Sequence, residues 1–135
     1  MALIQWNSTL SVNITQIDNQ HMKLVELVNT LHDRMKEGKG KAALSGILNE
    51  LTNYTVYHFK TEEDIFRKYN YPQTDAHLKE HDALVQQVVK LKADFDNGKS
   101  VLTLDVMNFL KDWLTLHIMG DDKAYTPFLK SQGIV

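Results

Sequence analysis

The chain contains no cysteine. That excludes disulfides, iron–sulfur clusters and thiolate zinc sites, and it suits a reducing compartment. Net charge is nearly absent as well. Fifteen basic against seventeen acidic residues leave −2, which offers no electrostatic footprint for nucleic acid or an anionic membrane. Long apolar runs are missing. None approaches the length of a membrane span. Residues 1–18 have neither the basic nor the apolar region of a signal peptide. The expectation is a cytoplasmic protein without membrane contact. Nothing suggests strands, internal repeats, linkers or low-complexity segments. What remains is 135 residues, 43% hydrophobic and 24% charged. That fits one compact domain, 1–135, with a core of ordinary size.

Four amphipathic stretches are present. The first runs from about Asp18 to Glu37, with Asp18 or Asn19 as cap and a stripe of His21, Leu24, Val25, Val28, Leu31 and Met35. It stops at the Gly38-Lys-Gly40 breaker. The second runs from about Ala42 to Tyr69. Its stripe is Ile47, Leu51, Tyr54, His58, Glu62, Ile65 and Tyr69, spaced by threes and fours. Asn70-Tyr-Pro72 ends it. The third runs from about Thr74 to Asp96, on His77, His81, Leu84, Val88, Leu91 and Phe95. Gly98 follows, where a left-handed cap belongs. The fourth runs from about Leu102 to Met119, on Val106, Leu110, Trp113 and His117, and Gly120 interrupts it. Before these lies an irregular arm with Trp6 laid on the domain. After them comes a short C-terminal segment, a helical turn over Ala124–Lys130. All-α helices with short connections imply an antiparallel up-down-up-down four-helix bundle.

The chemistry lies in the polar residues that intrude on these stripes. His58 and Glu62 are four apart, as are His77 and His81, so each pair projects from one helix face. In an up-down-up-down bundle the starts of the first and third helices lie beside the ends of the second and fourth. His21, His58, Glu62, His77, His81 and His117 therefore meet at one level. Each buried polar group left unpaired costs roughly 1–3 kcal/mol. A hydrogen-bonded His–Glu network could satisfy them, but it needs no repeated four-residue spacing. A metal site explains both spacing and convergence. Imidazole and carboxylate suit iron, zinc, copper or nickel. The ligands are too many for one tetrahedral zinc, so two metals sharing a carboxylate is the economical reading. His32 serves as a control. It sits about 16 Å along the axis from His21 and reads as structural.

These residues resemble the hemerythrin family, in particular its single-domain bacterial branch. The pattern of a lone His, His-x-x-x-Glu, His-x-x-x-His and His-x-x-x-x-Asp is met by His21, His58 with Glu62, His77 with His81, and His117 with Asp122. The flanking text agrees: Ile17-Asp-Asn-Gln-His21, His58-Phe-Lys-Thr-Glu-Glu63, Trp113-Leu-Thr-Leu-His117 and Asp122-Lys-Ala-Tyr125. The resemblance covers essentially the whole chain. It implies two non-haem irons, one on His77, His81 and His117, the other on His21 and His58. Glu62 and Asp122 would bridge them, with an oxo or hydroxo group between. Periodicity alone favours Asp121, four residues after His117. The family spacing favours Asp122, and the break at Gly120 makes that turn adjustable.

The resemblance also implies reversible O2 binding for carriage, storage or delivery, with O2 held as hydroperoxide on the open, two-histidine iron. An O2 or redox sensor acting through a partner and a peroxidase-like or nitric-oxide-handling enzyme are the alternatives. Against an enzyme stand the imidazole-rich ligand set and the lack of any Glu-x-x-His motif. Leu24, Val25, Ile65, Phe66, Leu84, Trp113 and Leu114 are candidates for a dry pocket. Thr115, two before His117, either faces that pocket or turns outward. Relatives imply a monomer, with a redox or O2-acceptor protein as a conceivable partner.

Overall fold

In the computed structural model, residues 3–38, 40–98 and 104–134 are described. The elements are a 3-10 turn at Ser8–Leu10, then α1 (Thr15–Lys36), α2 (Lys41–Lys68), α3 (Thr74–Asp96) and α4 (Leu104–Leu116). α4 runs through a π-helical turn, His117–Asp122, into α5 (Lys123–Ser131). No strand occurs among the described residues. α1 packs on α2 and α4, and α2 on α3, which gives the antiparallel four-helix bundle that the stripes predict. The expected start of the fourth helix at Leu102 lies outside the described residues.

Two corrections concern the helix ends. α1 begins three residues earlier than predicted, after Ile14, and no side chain caps it. Asp18 has another task. Its carboxylate accepts from Val12 N at 2.8 Å and Ser11 Oγ at 2.5 Å, tying the N-terminal arm to the first turn. The arm is better fixed than an irregular segment need be. Ile4, Leu10, Val12 and Ile14 are buried, Trp6 packs half-buried on the core, and Asn29 bonds both the N–H and the C=O of Ile4 at 2.8 Å. The second correction is at Gly120, which does not interrupt the fourth helix. The chain stays helical there through a wider turn.

The predicted breakers act as expected. Gly38 and Gly98 take φ of 72° and 74°, and Asn70, before Tyr71-Pro72, takes 55°. These left-handed residues let one helix end and the next return beside it. The α2 stripe is displaced. Leu44, Leu48, Thr55, Phe59 and Phe66 are buried, whereas Ile47, Tyr54, Ile65 and Tyr69 are only half-buried. The α2 helix is covered by α1 on one side and α3 on the other, so its buried face is wider than one stripe.

The core divides into two clusters. One, formed by Leu24, Val28, Leu31, Leu48, Leu51, Val88, Met107, Leu110 and Leu114 with their neighbours, fills the bundle. The other, formed by Val12, Ile14, Ile17, Phe66, Tyr71, Tyr125 and Leu129, closes one end. The polar residues lie between the two. No helix among the described residues is long and apolar enough to cross a membrane.

Candidate metal centre

The π turn decides which acid enters the site. In a π-helix the ladder runs from residue i to i+5, so residues five apart come onto one face. His117 and Asp122 are the two ends of that turn. Asp122 is fully buried, and its Oδ1 lies 3.0 Å from His117 Nε2. The side chain of Asp121 lies outside the described residues.

All seven predicted residues come together, and all are buried. Asp122 is the hub. Its Oδ2 lies 2.7 Å from His21 Nε2, and its Oδ1 lies 3.1 Å from His77 Nε2. Glu62 Oε1 lies 3.2 Å from both His58 Nε2 and His81 Nε2. The ligand-capable atoms form two groups, each with members within 4.8 Å of one another: Glu62, His77, His81, His117 and Asp122, and His21, His58, Glu62 and Asp122. Glu62 and Asp122 belong to both. His32, though buried, belongs to neither.

A hydrogen-bonded network does not account for this cluster. Glu62 Oε1, His58 Nε2 and His81 Nε2 are buried and face one another, yet none makes a hydrogen bond. Buried polar atoms of that kind are rare and costly unless something else binds them. Inward-facing nitrogens around shared carboxylate oxygens fit a cation.

The outer atoms, by contrast, are held. His58 Nδ1 pairs with Gln20 Oε1 at 2.7 Å, and Gln20 Nε2 donates to Thr61 Oγ1 at 3.3 Å. His81 Nδ1 pairs with Glu63 Oε2 at 2.9 Å. Tyr125 Oη donates to Glu62 Oε2 at 2.6 Å. Phe59 stacks on the His81 ring at 3.9 Å and 1°, and Phe66 meets His77 edge-on at 4.8 Å. Such outer partners fix the tautomer and the aim of metal-binding imidazoles. The sequence reading assigned no role to Gln20, Glu63, Tyr125 or Phe59. Gln20, Phe59 and Glu63 each adjoin a predicted ligand in sequence, which was the available signal.

Charge follows this geometry. Burial opposes the imidazolium form of His58, but the charges of Glu62 and Asp122 outweigh it and raise its pKa to about 9. Burial pushes both carboxyls up, and the charge of Asp122 adds to this at Glu62, yet the imidazoles prevail. The charge of His58 holds Glu62, and that of His117 holds Asp122, well below the usual carboxylate range. Burial, followed by the charges of Glu62 and Asp122, drives the Tyr125 phenol well above its ordinary value. Tyr125 is thus a committed donor. Tyr125→Phe leaves Glu62 Oε2 without it and is expected to lower stability by about 1–3 kcal/mol. Urea unfolding of the metal-free variant beside the parent measures this, and an unchanged midpoint would deny the bond any energetic part.

An apolar pocket adjoins His117. It is lined by Leu24, Phe59, Leu84, Trp113 and Leu114 and leaves no room for a water molecule. Of the predicted pocket residues, Leu24, Leu84, Trp113 and Leu114 line it. Val25, Ile65 and Phe66 do not, and Phe59 takes a place that was not foreseen. Thr115 is half-buried and absent from this lining. Its hydroxyl turns back to Lys111 O at 2.8 Å.

Comparison with known proteins agrees with this geometry. A family model described as the hemerythrin HHE cation binding domain matches residues 12–129. A bacteriohemerythrin of Methylococcus capsulatus is 36% identical over 132 residues, covering 97% of this chain and all of the relative. One from Stenotrophomonas maltophilia is 32% identical over 131 residues, covering 97% of this chain and 84% of the relative. A crystal structure of wild-type hemerythrin superposes with a TM-score of 0.85 at 35% identity, covering 93% of this chain and 97% of that one.

Proposed function

Because this chain belongs to the hemerythrin family, we propose that it binds O2 reversibly at a pair of non-haem irons. The observation that carries the reading is the two overlapping ligand groups that share Glu62 and Asp122. His77, His81 and His117 would hold one iron, His21 and His58 the other, and the two carboxylates would span both. A pair of ferrous ions supplies the two electrons that reversible O2 binding draws on. The position with two histidines has one protein ligand fewer, and so has room for a ligand from outside.

The remaining work falls to the protein's own side chains. Gln20 and Glu63 keep His58 and His81 aimed inward. Tyr125 occupies the outer oxygen of Glu62, which leaves Oε1 free for the interior. The apolar pocket touches His117 of the five-residue group, and two of its lining residues, Leu24 and Phe59, lie one turn after His21 and next to His58 in the chain. Its lining excludes water, and with water the protons that would make O2 binding irreversible. We read residues 1–135 as one domain, cytoplasmic and monomeric, serving carriage, storage or delivery of O2.

Metal analysis and visible spectra test this. The parent protein should carry two irons per chain. Its reduced form should gain a visible band under O2 and lose it when O2 is removed. One zinc and no colour would defeat the reading. Steady consumption of O2 or peroxide would replace it with an enzyme.

A further inference from the structure

The two ligand groups differ in more than their number of histidines. In each group an imidazole turns its outer nitrogen to a side chain, and those two side chains differ in charge. His58, in the four-residue group, meets the neutral amide of Gln20 at 2.7 Å. His81, in the five-residue group, meets the carboxylate of Glu63 at 2.9 Å. Both rings turn Nε2 inward, toward Glu62 Oε1; with a metal on Nε2 the proton would sit on Nδ1, which would donate outward. The amide of Gln20 is set as an acceptor toward His58, because its NH2 group donates to Thr61 Oγ1.

We propose that Glu63, as a charged acceptor for the Nδ1–H of His81, makes the three-histidine position the tighter of the two metal positions. This inference rests on the two-metal reading above. A carboxylate draws the imidazole proton outward more strongly than an amide does and leaves more electron density on Nε2. The metal bound there gains a stronger donor. Gln20 gives His58 no such help, so the two-histidine position stays the more electron-poor. Orientation alone does not call for a carboxylate at residue 63. Phe59 already stacks flat on the same ring, and among the described residues the other oxygen of Glu63 pairs with Arg67 Nη2 at 4.0 Å. Glu63 is thus a positioning residue that acts through His81, and its charge sets it apart from Gln20.

The test is titration of metal-free protein with ferrous iron, without O2, against a competing chelator. The parent should show two separable steps. Glu63→Gln keeps the acceptor and the shape but removes the charge. It should weaken the tighter step by about 10–100-fold and leave the weaker step within about threefold. The midpoint potential of the loaded variant should move positive. Gln20→Glu should tighten the weaker step. Unchanged steps in Glu63→Gln, equal weakening of both, or no gain in Gln20→Glu would overturn the assignment. A parent that takes up a single iron would sink the two-metal reading and this inference with it. A parent that takes two, with an indifferent Glu63→Gln, would sink this inference alone.

Discussion

On the two-metal reading, Asp122→Ala is expected to cost the protein both metals. Asp122 lies within 3.1 Å of His21 of α1, His77 of α3 and His117 at the start of the π turn, and it belongs to both ligand groups. Its loss takes one ligand from each position. Outer partners of metal ligands alone cost about 10–100-fold in affinity, so a shared ligand should cost more than ~100-fold at both. The metal-free variant suffers too. His21 and His77 lose the acid that pairs them, at roughly 1–3 kcal/mol for each polar group left buried and unpaired. Metal content after dialysis against a chelator should fall from two per chain to nearly none, while Asp121→Ala should keep both. Retention of two metals by Asp122→Ala, or their loss in Asp121→Ala, would show that the π turn presents the wrong acid.

That pair of acids marks the limit of periodicity as a guide. Regular helical spacing picks out His58 with Glu62 and His77 with His81, because α2 and α3 are regular where those residues lie. It fails at His117, where the helix widens for one turn and the partner moves from four residues away to five. Only the family pattern pointed to Asp122. The bundle itself was legible because each break has a plain physical cause. Gly38 and Gly98 take a left-handed backbone that other residues avoid, and Pro72 disfavours helix before it. Phe59 was not legible as core. It lies beside the stripe rather than on it, and its burial depends on which neighbours cover α2. Gln20, Glu63 and Tyr125 were hidden for another reason. Each stands in the family-like text beside a ligand, but what it does there is read only from its three-dimensional contact with His58, His81 or Glu62.

His58→Ala should remove one metal and abolish the response to O2 while the other metal stays. His58 belongs only to the four-residue group. Without it that group keeps one imidazole and the two shared carboxylates, so it should lose far more affinity than the other group. The five-residue group is untouched. Metal content should fall from two per chain to about one. The remaining metal should be held within about threefold of its affinity in the parent, because its own imidazoles and their outer partners are unchanged. If O2 enters at the two-histidine position, the visible response to O2 should vanish despite the bound metal. That separates the site of O2 entry from the mere presence of iron. His32→Ala is the control. His32 is as buried as the ligands but belongs to neither group, so this variant should keep both metals and the full response even if it melts earlier. A His58→Ala protein that still answers to O2 with one metal would place the entry at the three-histidine position. A protein that loses both would mean that the two positions fill only together.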